Sequence, residues 1–115
     1  MIINPAIESE KMIIGALLLD CTLFKTIENK LIPHDFSDKD LQQIFEAMSK
    51  IYKKRTVFDI AMLIDETNFR PEFLLELANN CYSTENISAH ADIVREKSVQ
   101  FRLIDCKKEM DNKNE

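Results

Sequence analysis

The stretch Met12-Ile13-Ile14-Gly15-Ala16-Leu17-Leu18-Leu19 is the longest apolar run in the chain and decides the fold. A helix over this run is apolar on every side, which is typical of a helix buried at the centre of a bundle. The run is too short for a membrane helix, which needs about 20 apolar residues. Glycine inside a helix costs about 0.5–1 kcal/mol relative to alanine, so we expect another helix to cross closely at Gly15. Asn4-Pro5 is a typical helix start, and this central helix is predicted to end near Leu19.

The composition limits the chain to one small domain. It has 115 residues, of which 45% are hydrophobic, and its single glycine and three prolines offer too little turn-forming sequence for an all-β fold. Fifteen basic and twenty acidic residues give a net charge of -5, which disfavours direct binding to nucleic acid. The three cysteines are odd in number and widely spaced, which favours free thiols over a disulfide framework. Glu8 and Glu10 precede the apolar run, at the place where a signal peptide would be basic. We therefore expect a cytoplasmic protein with no membrane segment.

Capping residues and helical spacing of apolar residues predict five further helices. Together with the central helix they form an all-α, compact bundle of about six helices. Helix 2 is predicted from a Thr22 cap through Leu31 to Pro33, and helix 3 from the capping sequence Ser37-Asp38-Lys39-Asp40 to Lys53-Lys54-Arg55. A short helix 4 is capped by Asp59, after Val57-Phe58, which is expected to pack into the core. Helix 5 is predicted from Pro71 to Asn79-Asn80, and helix 6 from a Ser83 or Thr84 cap to about Met110.

Helix 6 is longer than the bundle requires. At about 25 residues and 1.5 Å per residue it spans about 38 Å, so its far end is predicted to leave the domain and project toward a linker. Basic and apolar residues alternate along it in Arg95, Lys97, Val99, Phe101 and Arg102. An exposed apolar strip on a projecting helix predicts a contact with another protein. The alternative is a helix 6 that folds back entirely on its own core.

The chain shows no pattern for catalysis. With Gly15 as the only glycine it has neither a P-loop nor a dinucleotide-binding motif. Neither His34 nor His90 has a cysteine or a second histidine at metal-ligand spacing. We therefore predict no catalytic, cofactor or metal site in these residues, and we interpret Lys53-Lys54-Arg55 as a solvated helix end and not as a phosphate site.

Several segments, in order along the chain, resemble one protein family. They are Ile7-Glu8-Ser9-Glu10 followed by Ile14-Gly15-Ala16-Leu17-Leu18-Leu19-Asp20, then Ile44-Phe45-Glu46-Ala47-Met48, then Phe58-Asp59-Ile60, then Leu74-Leu75-Glu76-Leu77-Ala78-Asn79-Asn80, and then Asn86 to Lys97. This pattern resembles the N-terminal domain of the DnaB-type bacterial and phage replicative DNA helicase. His90 departs from it, because the family usually has tyrosine there.

The resemblance implies an all-α domain that pairs and forms the collar of a homohexamer, onto which primase and in some systems a helicase loader dock. DNA would be contacted only indirectly, and ATP and Mg would bind in the family's separate motor domain. Residues 1–110 would be this domain, and 111–115 a polar tail or the start of a linker. Candidate interface residues are Glu8 and Phe73 for primase or loader, and Arg95, Phe101 and Arg102 for pairing. Two alternatives stay open: a stand-alone replication regulator that binds or mimics the collar, and an unrelated helical enzyme or nucleic-acid binder.

Overall fold

The computed structural model describes residues 6–81 and 83–113, with side chains as far as residue 103. Over these ranges the chain forms six α-helices and two short 3-10 turns and contains no strand. This confirms the predicted all-α bundle of six helices. The helices are α1 (Ala6–Leu19), α2 (Phe24–Ile27), α3 (Lys39–Arg55), α4 (Ile60–Glu66), α5 (Pro71–Asn79) and α6 (Ile87–Lys113), and the 3-10 turns are Cys21–Leu23 and Pro33–Asp35.

Helix α1 lies at the centre of the bundle and packs against α3, α5 and α6. Every residue from Ile13 to Leu17 is buried, and α1 ends at Leu19 as predicted. The burial of the apolar run does not extend to the last turn, where Leu19 is 54% exposed. The predicted start at Asn4-Pro5 lies outside the described residues. The burial of five successive residues requires neighbours on all sides of the helix, so α1 is the core around which the other helices are arranged.

The close helix crossing predicted at Gly15 is present, and the partner is α5. A β-carbon added to Gly15 would lie 2.5 Å from the carbonyl oxygen of Leu77 and 2.8 Å from Cβ of Cys81. Both distances are shorter than van der Waals contact, and one of the two atoms belongs to the backbone. The cost of glycine in the helix is therefore offset by the approach of α5.

An aromatic cluster joins α2 and α3 to the segments that precede α3 and α4. Phe24 lies at its centre, with ring-centroid distances of 5.5 Å to Phe45 and 5.8 Å to Phe58. Phe36 extends the cluster at 4.9 Å from Phe45. The expectation that Val57 and Phe58 both enter the core is only half right, because Val57 is 49% exposed. Successive residues of an extended segment point to opposite sides, so only Phe58 faces inward.

Two predicted helix starts are wrong by one or two residues. Asp20, not Thr22, caps the turn before α2, since its side chain accepts a hydrogen bond from the Thr22 amide at 3.1 Å. Asp38, not Ser37, caps α3 and accepts from the amides of Asp40 and Leu41. Ser37 is not available for this role because its hydroxyl donates to the buried Glu10 carboxylate at 2.6 Å.

Other predicted boundaries also change. Helix α2 ends at Ile27 instead of near Leu31, although Leu31 is buried, and Pro33 begins a 3-10 turn. Helix α6 begins at Ile87, so the predicted cap at Ser83 or Thr84 is wrong. The Ser83 hydroxyl instead accepts from the Glu85 amide within the preceding turn. The helix continues to Lys113, three residues beyond the predicted end. The boundaries of α3, α4 and α5 at Arg55, Asp59 and Pro71 agree with the sequence.

The substitution Gly15→Ala tests the α1–α5 crossing. We expect it to lower the free energy of unfolding by about 2 kcal/mol, because the new methyl group forces the α5 backbone away and this outweighs the better helix propensity of alanine. Ala89→Ser adds one atom at an exposed helix position and should cost less than about 0.5 kcal/mol. Urea denaturation measures both; a Gly15→Ala protein as stable as the wild type would contradict the assignment.

Candidate protein-interaction surface on helix α6

Helix α6 has 27 residues and is therefore about 40 Å long. One face packs on the bundle, where Ile87, Ala91 and Val94 are at most 6% exposed. Ser98 continues this face at 8% exposure, and it is the last buried side chain in the described part of the helix. The spacing of three or four residues is that of a single helix face. Within the described side chains, the bundle therefore buries α6 only as far as Ser98.

Beyond Ser98 the core-facing stripe of α6 continues, but its next large apolar side chain is only half-buried. Phe101 lies three residues after Ser98 and seven after Val94, which places it on the same face, yet it is 51% exposed. Val99 and Leu103, on other sides of the helix, are 39% and 61% exposed. The alternative in which the bundle covers helix 6 entirely is therefore wrong for the residues that the structure describes. Large apolar side chains left on more than one side are typical of a contact with other protein chains.

A buried carboxylate holds α6 where it leaves the bundle. Asp35, whose side chain has no exposed surface, accepts hydrogen bonds from Nη1 of Arg95 at 3.1 and 3.0 Å and from Oγ of Ser98 at 2.7 Å. Arg102 also donates to Asp35 through Nη2, and the Ile32 amide donates to it at 2.9 Å. One aspartate in the Pro33–Asp35 turn thus fixes two turns of α6.

The charges of this cluster do not balance. Two guanidinium groups face one carboxylate, and the arginine side chains are 45% and 48% exposed. A guanidinium has five N–H donors, so donors of Arg95 and Arg102 remain directed to solvent. Arg95 and Arg102 were predicted as interface residues, and the structure gives them an internal partner as well. Sequence reasoning missed Asp35; the signal available was two arginines seven residues apart, which lie on one helix face and can share a partner.

The other candidate residues lie elsewhere on the bundle. Glu8 is exposed on the first turns of α1 and pairs with Lys11 at 3.7 Å. Phe73 is half-buried near the start of α5, with its ring 5.4 Å from that of Phe69. Neither residue is a hydrogen-bond partner of Asp35.

Two polar contacts set the positions of α3 and α6 against α1. The buried Glu10 accepts from the amides of Ser37 and Asp38 at 3.0 and 3.2 Å, which holds the start of α3. Nδ1 of His90 on α6 lies 3.0 Å from Oγ of the buried Ser9. His90 therefore takes part in helix packing. His34 lies on the surface, where its Nδ1 is 3.1 Å from the side-chain Nε2 of Gln42.

A surface groove of about 390 Å³ lies between α3 and the segment joining α4 to α5. An ion pair of 2.6 Å between Lys50 and Glu66 lies in it. The hydrogen bond and the charge of the partner raise the pKa of Lys50 and lower the pKa of Glu66, so both stay charged near neutral pH. The groove carries three acidic or basic side chains on open walls, and the hydroxyl of Thr67, which also lines it, donates to the Leu63 carbonyl at 2.7 Å.

The described residues contain no cluster of three or more His, Cys, Asp or Glu side chains that could hold a metal ion. Within the same ranges no helix is long and apolar enough to span a membrane. Cys21 and Cys81 are free thiols, and the side chain of Cys106 lies outside the described residues.

The fold agrees with comparisons to known proteins. The family model described as the DnaB-like helicase N terminal domain matches residues 3–96. The replicative DNA helicases DnaB of Buchnera aphidicola and Geobacillus stearothermophilus are each 32% identical over 107 residues, which is 86% of this chain. The chain spans only 23% and 24% of the length of these two relatives.

A comparison with solved structures shows the same fold. The crystal structure of the N-terminal domain of DnaB helicase from Mycobacterium tuberculosis superimposes with a TM-score of 0.83 at 21% identity, covering 92% of this chain and 80% of the other. The fold is therefore the same. Because the family model covers most of the chain, this protein belongs to the DnaB-like helicase N-terminal domain family.

Asp35→Asn tests the anchoring of α6. We expect a loss of about 2 kcal/mol in the free energy of unfolding, since the substitution leaves Arg95 and Arg102 beside a neutral group. Asp92→Asn is a matched control that breaks the exposed ion pair between Lys30 and Asp92 (3.2 Å), and it should cost less than about 0.5 kcal/mol. Thermal or urea denaturation measures both variants, and equal losses would show that the buried cluster does not anchor the helix.

Proposed function

We propose that this chain is the N-terminal collar domain of a DnaB-type replicative helicase and works by binding other proteins. The observation that carries the proposal is Phe101, a large aromatic residue on the core-facing stripe of α6 that remains 51% exposed. A second copy of the chain that buries Phe101 removes this apolar surface from water. Family membership supports the proposal, because the relatives are replicative DNA helicases.

The collar domain in this proposal pairs with a second copy through α6 and forms part of a homohexamer with the rest of the helicase. Residues 1–110 are the domain, and 111–115 begin the linker to a motor. ATP and Mg bind in the motor, and DNA is contacted by that part of the protein. The net charge of -5 supports this division, since a surface of that charge does not attract phosphates. The setting is the cytoplasm.

Primase, or a helicase loader, is the proposed second kind of partner. Glu8 is exposed on α1 and Phe73 is half-buried on α5, so each leaves surface for a partner. They are proposed as docking residues that are separate from the pairing surface on α6. This separation allows the chain to pair and to bind primase at the same time.

Phe101→Asp tests pairing. We expect the dissociation constant of the dimer to rise at least about tenfold, because burial of a phenylalanine contributes about 1.5–3 kcal/mol and a carboxylate opposes it. Val57→Asp, at a site that is 49% exposed and remote in sequence from α6, is the control and should leave pairing unchanged. Multi-angle light scattering over a concentration series measures both. A wild-type chain that is monomeric at every concentration would contradict pairing.

Glu8→Lys tests primase docking. We expect it to weaken binding of the C-terminal region of the cognate primase at least about fivefold in calorimetric titrations, through reversal of a charge at the interface. Asp65→Lys reverses another exposed charge and should have no effect. Unchanged primase affinity in Glu8→Lys and in Phe73→Ala would rule out this docking site.

A further inference from the structure

A second face of α6, distinct from the Phe101 side, has the character of a protein interface. Arg95, Val99 and Arg102 lie within about 60° around the helix, and Leu103 lies at the edge of this face. Val99 and Leu103 are exposed and apolar, and the two arginines are half-exposed. Arginine beside apolar side chains is typical of interface centres. We call this set the α6 arginine face.

The arginine face is preorganised and has an excess positive charge. Hydrogen bonds to Asp35 hold both guanidinium groups, so little side-chain freedom is left to lose on binding. One buried carboxylate neutralises only one of the two cations. The neighbouring Asp92 is already engaged by Lys30 at 3.2 Å. The face therefore favours a partner that brings a carboxylate next to an apolar side chain.

The outward face of α5 has that chemistry. Leu75 and Glu76 lie three and four residues after Glu72, within one helical turn of it, and all three are exposed. Leu75 is 47% exposed, whereas its neighbours Leu74 and Leu77 supply the buried side of the helix. Within the described residues, neither glutamate forms an ion pair. We call this set the α5 glutamate face.

We propose that the α6 arginine face of one copy of this chain binds the α5 glutamate face of a second copy. Glu72 and Glu76 lie one turn apart, with β-carbons about 5–6 Å apart. Arg95 and Arg102 both reach the single carboxylate of Asp35, so the positive charge that Asp35 leaves unneutralised meets the two glutamate carboxylates. Leu75 then packs against Val99. The faces differ, so the contact runs head to tail and leaves one free face on each copy.

This contact rests on the proposed self-association of the chain but uses other residues than the pairing through Phe101. A separate protein with an acidic and apolar segment is the competing occupant of the arginine face. The two occupants give different results in the experiments below, since only a second copy responds to changes on α5.

Introducing a charge at each of the two apolar positions tests the proposal without changing a residue of the Asp35 cluster. Leu75→Lys brings a cation to the arginines, and Val99→Glu brings a carboxylate to the glutamates, so each variant alone should weaken association at least about tenfold in sedimentation velocity. The double variant places the introduced lysine opposite the introduced glutamate and should regain most of the lost affinity. Val57→Lys is the matched control, since Val57 is also half-exposed but belongs to neither face, and it should behave as wild type.

Mixing the single variants tests the direction of the contact. Leu75→Lys keeps an intact arginine face and Val99→Glu keeps an intact glutamate face, so an equimolar mixture should form heterodimers although neither variant self-associates through this contact. Failure of both the double variant and the mixture to restore association would overturn the proposal, and so would wild-type behaviour of the single variants.

The same series separates this inference from the proposed function. If Phe101→Asp abolishes association and Leu75→Lys has no effect, pairing stands and the α5–α6 contact is wrong. If Leu75→Lys and Val99→Glu act and rescue each other while Phe101→Asp has no effect, the α5–α6 contact stands and the Phe101 pairing is wrong. A wild-type chain that stays monomeric at millimolar concentration overturns both.

Discussion

The burial of α1 on all sides is the constraint on which the rest of the structure depends. Five successive buried residues leave no face of this helix for water, so the other helices must surround it. Burial of apolar surface contributes about 25 cal/mol per Å², but it does not by itself determine where each neighbour lies. That is determined by three local contacts: the approach of α5 to Gly15, the hydrogen bonds from the start of α3 to Glu10, and the contact of His90 on α6 with Ser9.

The same arrangement explains why α6 can extend beyond the bundle. The first half of α6 supplies the buried residues Ile87, Ala91 and Val94. Helix α1, with 14 residues, is about half as long as α6, with 27. Asp35 holds the helix at the point of exit through Arg95, Ser98 and Arg102. A helix held in this way presents its exposed apolar residues in a defined direction. This is a suitable basis for association, because little ordering remains to be done on binding.

Family membership and the shape of the surface support the same type of function. The described residues have an open groove with a neutralising ion pair and no metal cluster, whereas the exposed apolar residues concentrate on α6. These surface features support the proposed role in binding other proteins. Its stability is distributed accordingly: the core around α1 is tightly packed, and the exit of α6 depends on one buried carboxylate.

The sequence by itself determined the helical class, the central position of α1, the need for a close neighbour at Gly15 and the excess length of helix 6. These features follow from local periodicity and from the size of single side chains, and both can be read along the chain. Only the tertiary structure decided that Ser37 bonds to Glu10 so that Asp38 caps α3, that Val57 faces outward, and that Asp35 meets Arg95 and Arg102. Those outcomes depend on groups 27 to 67 residues apart or on the direction of a turn, and spacing along the chain does not identify a distant partner or the direction of a turn.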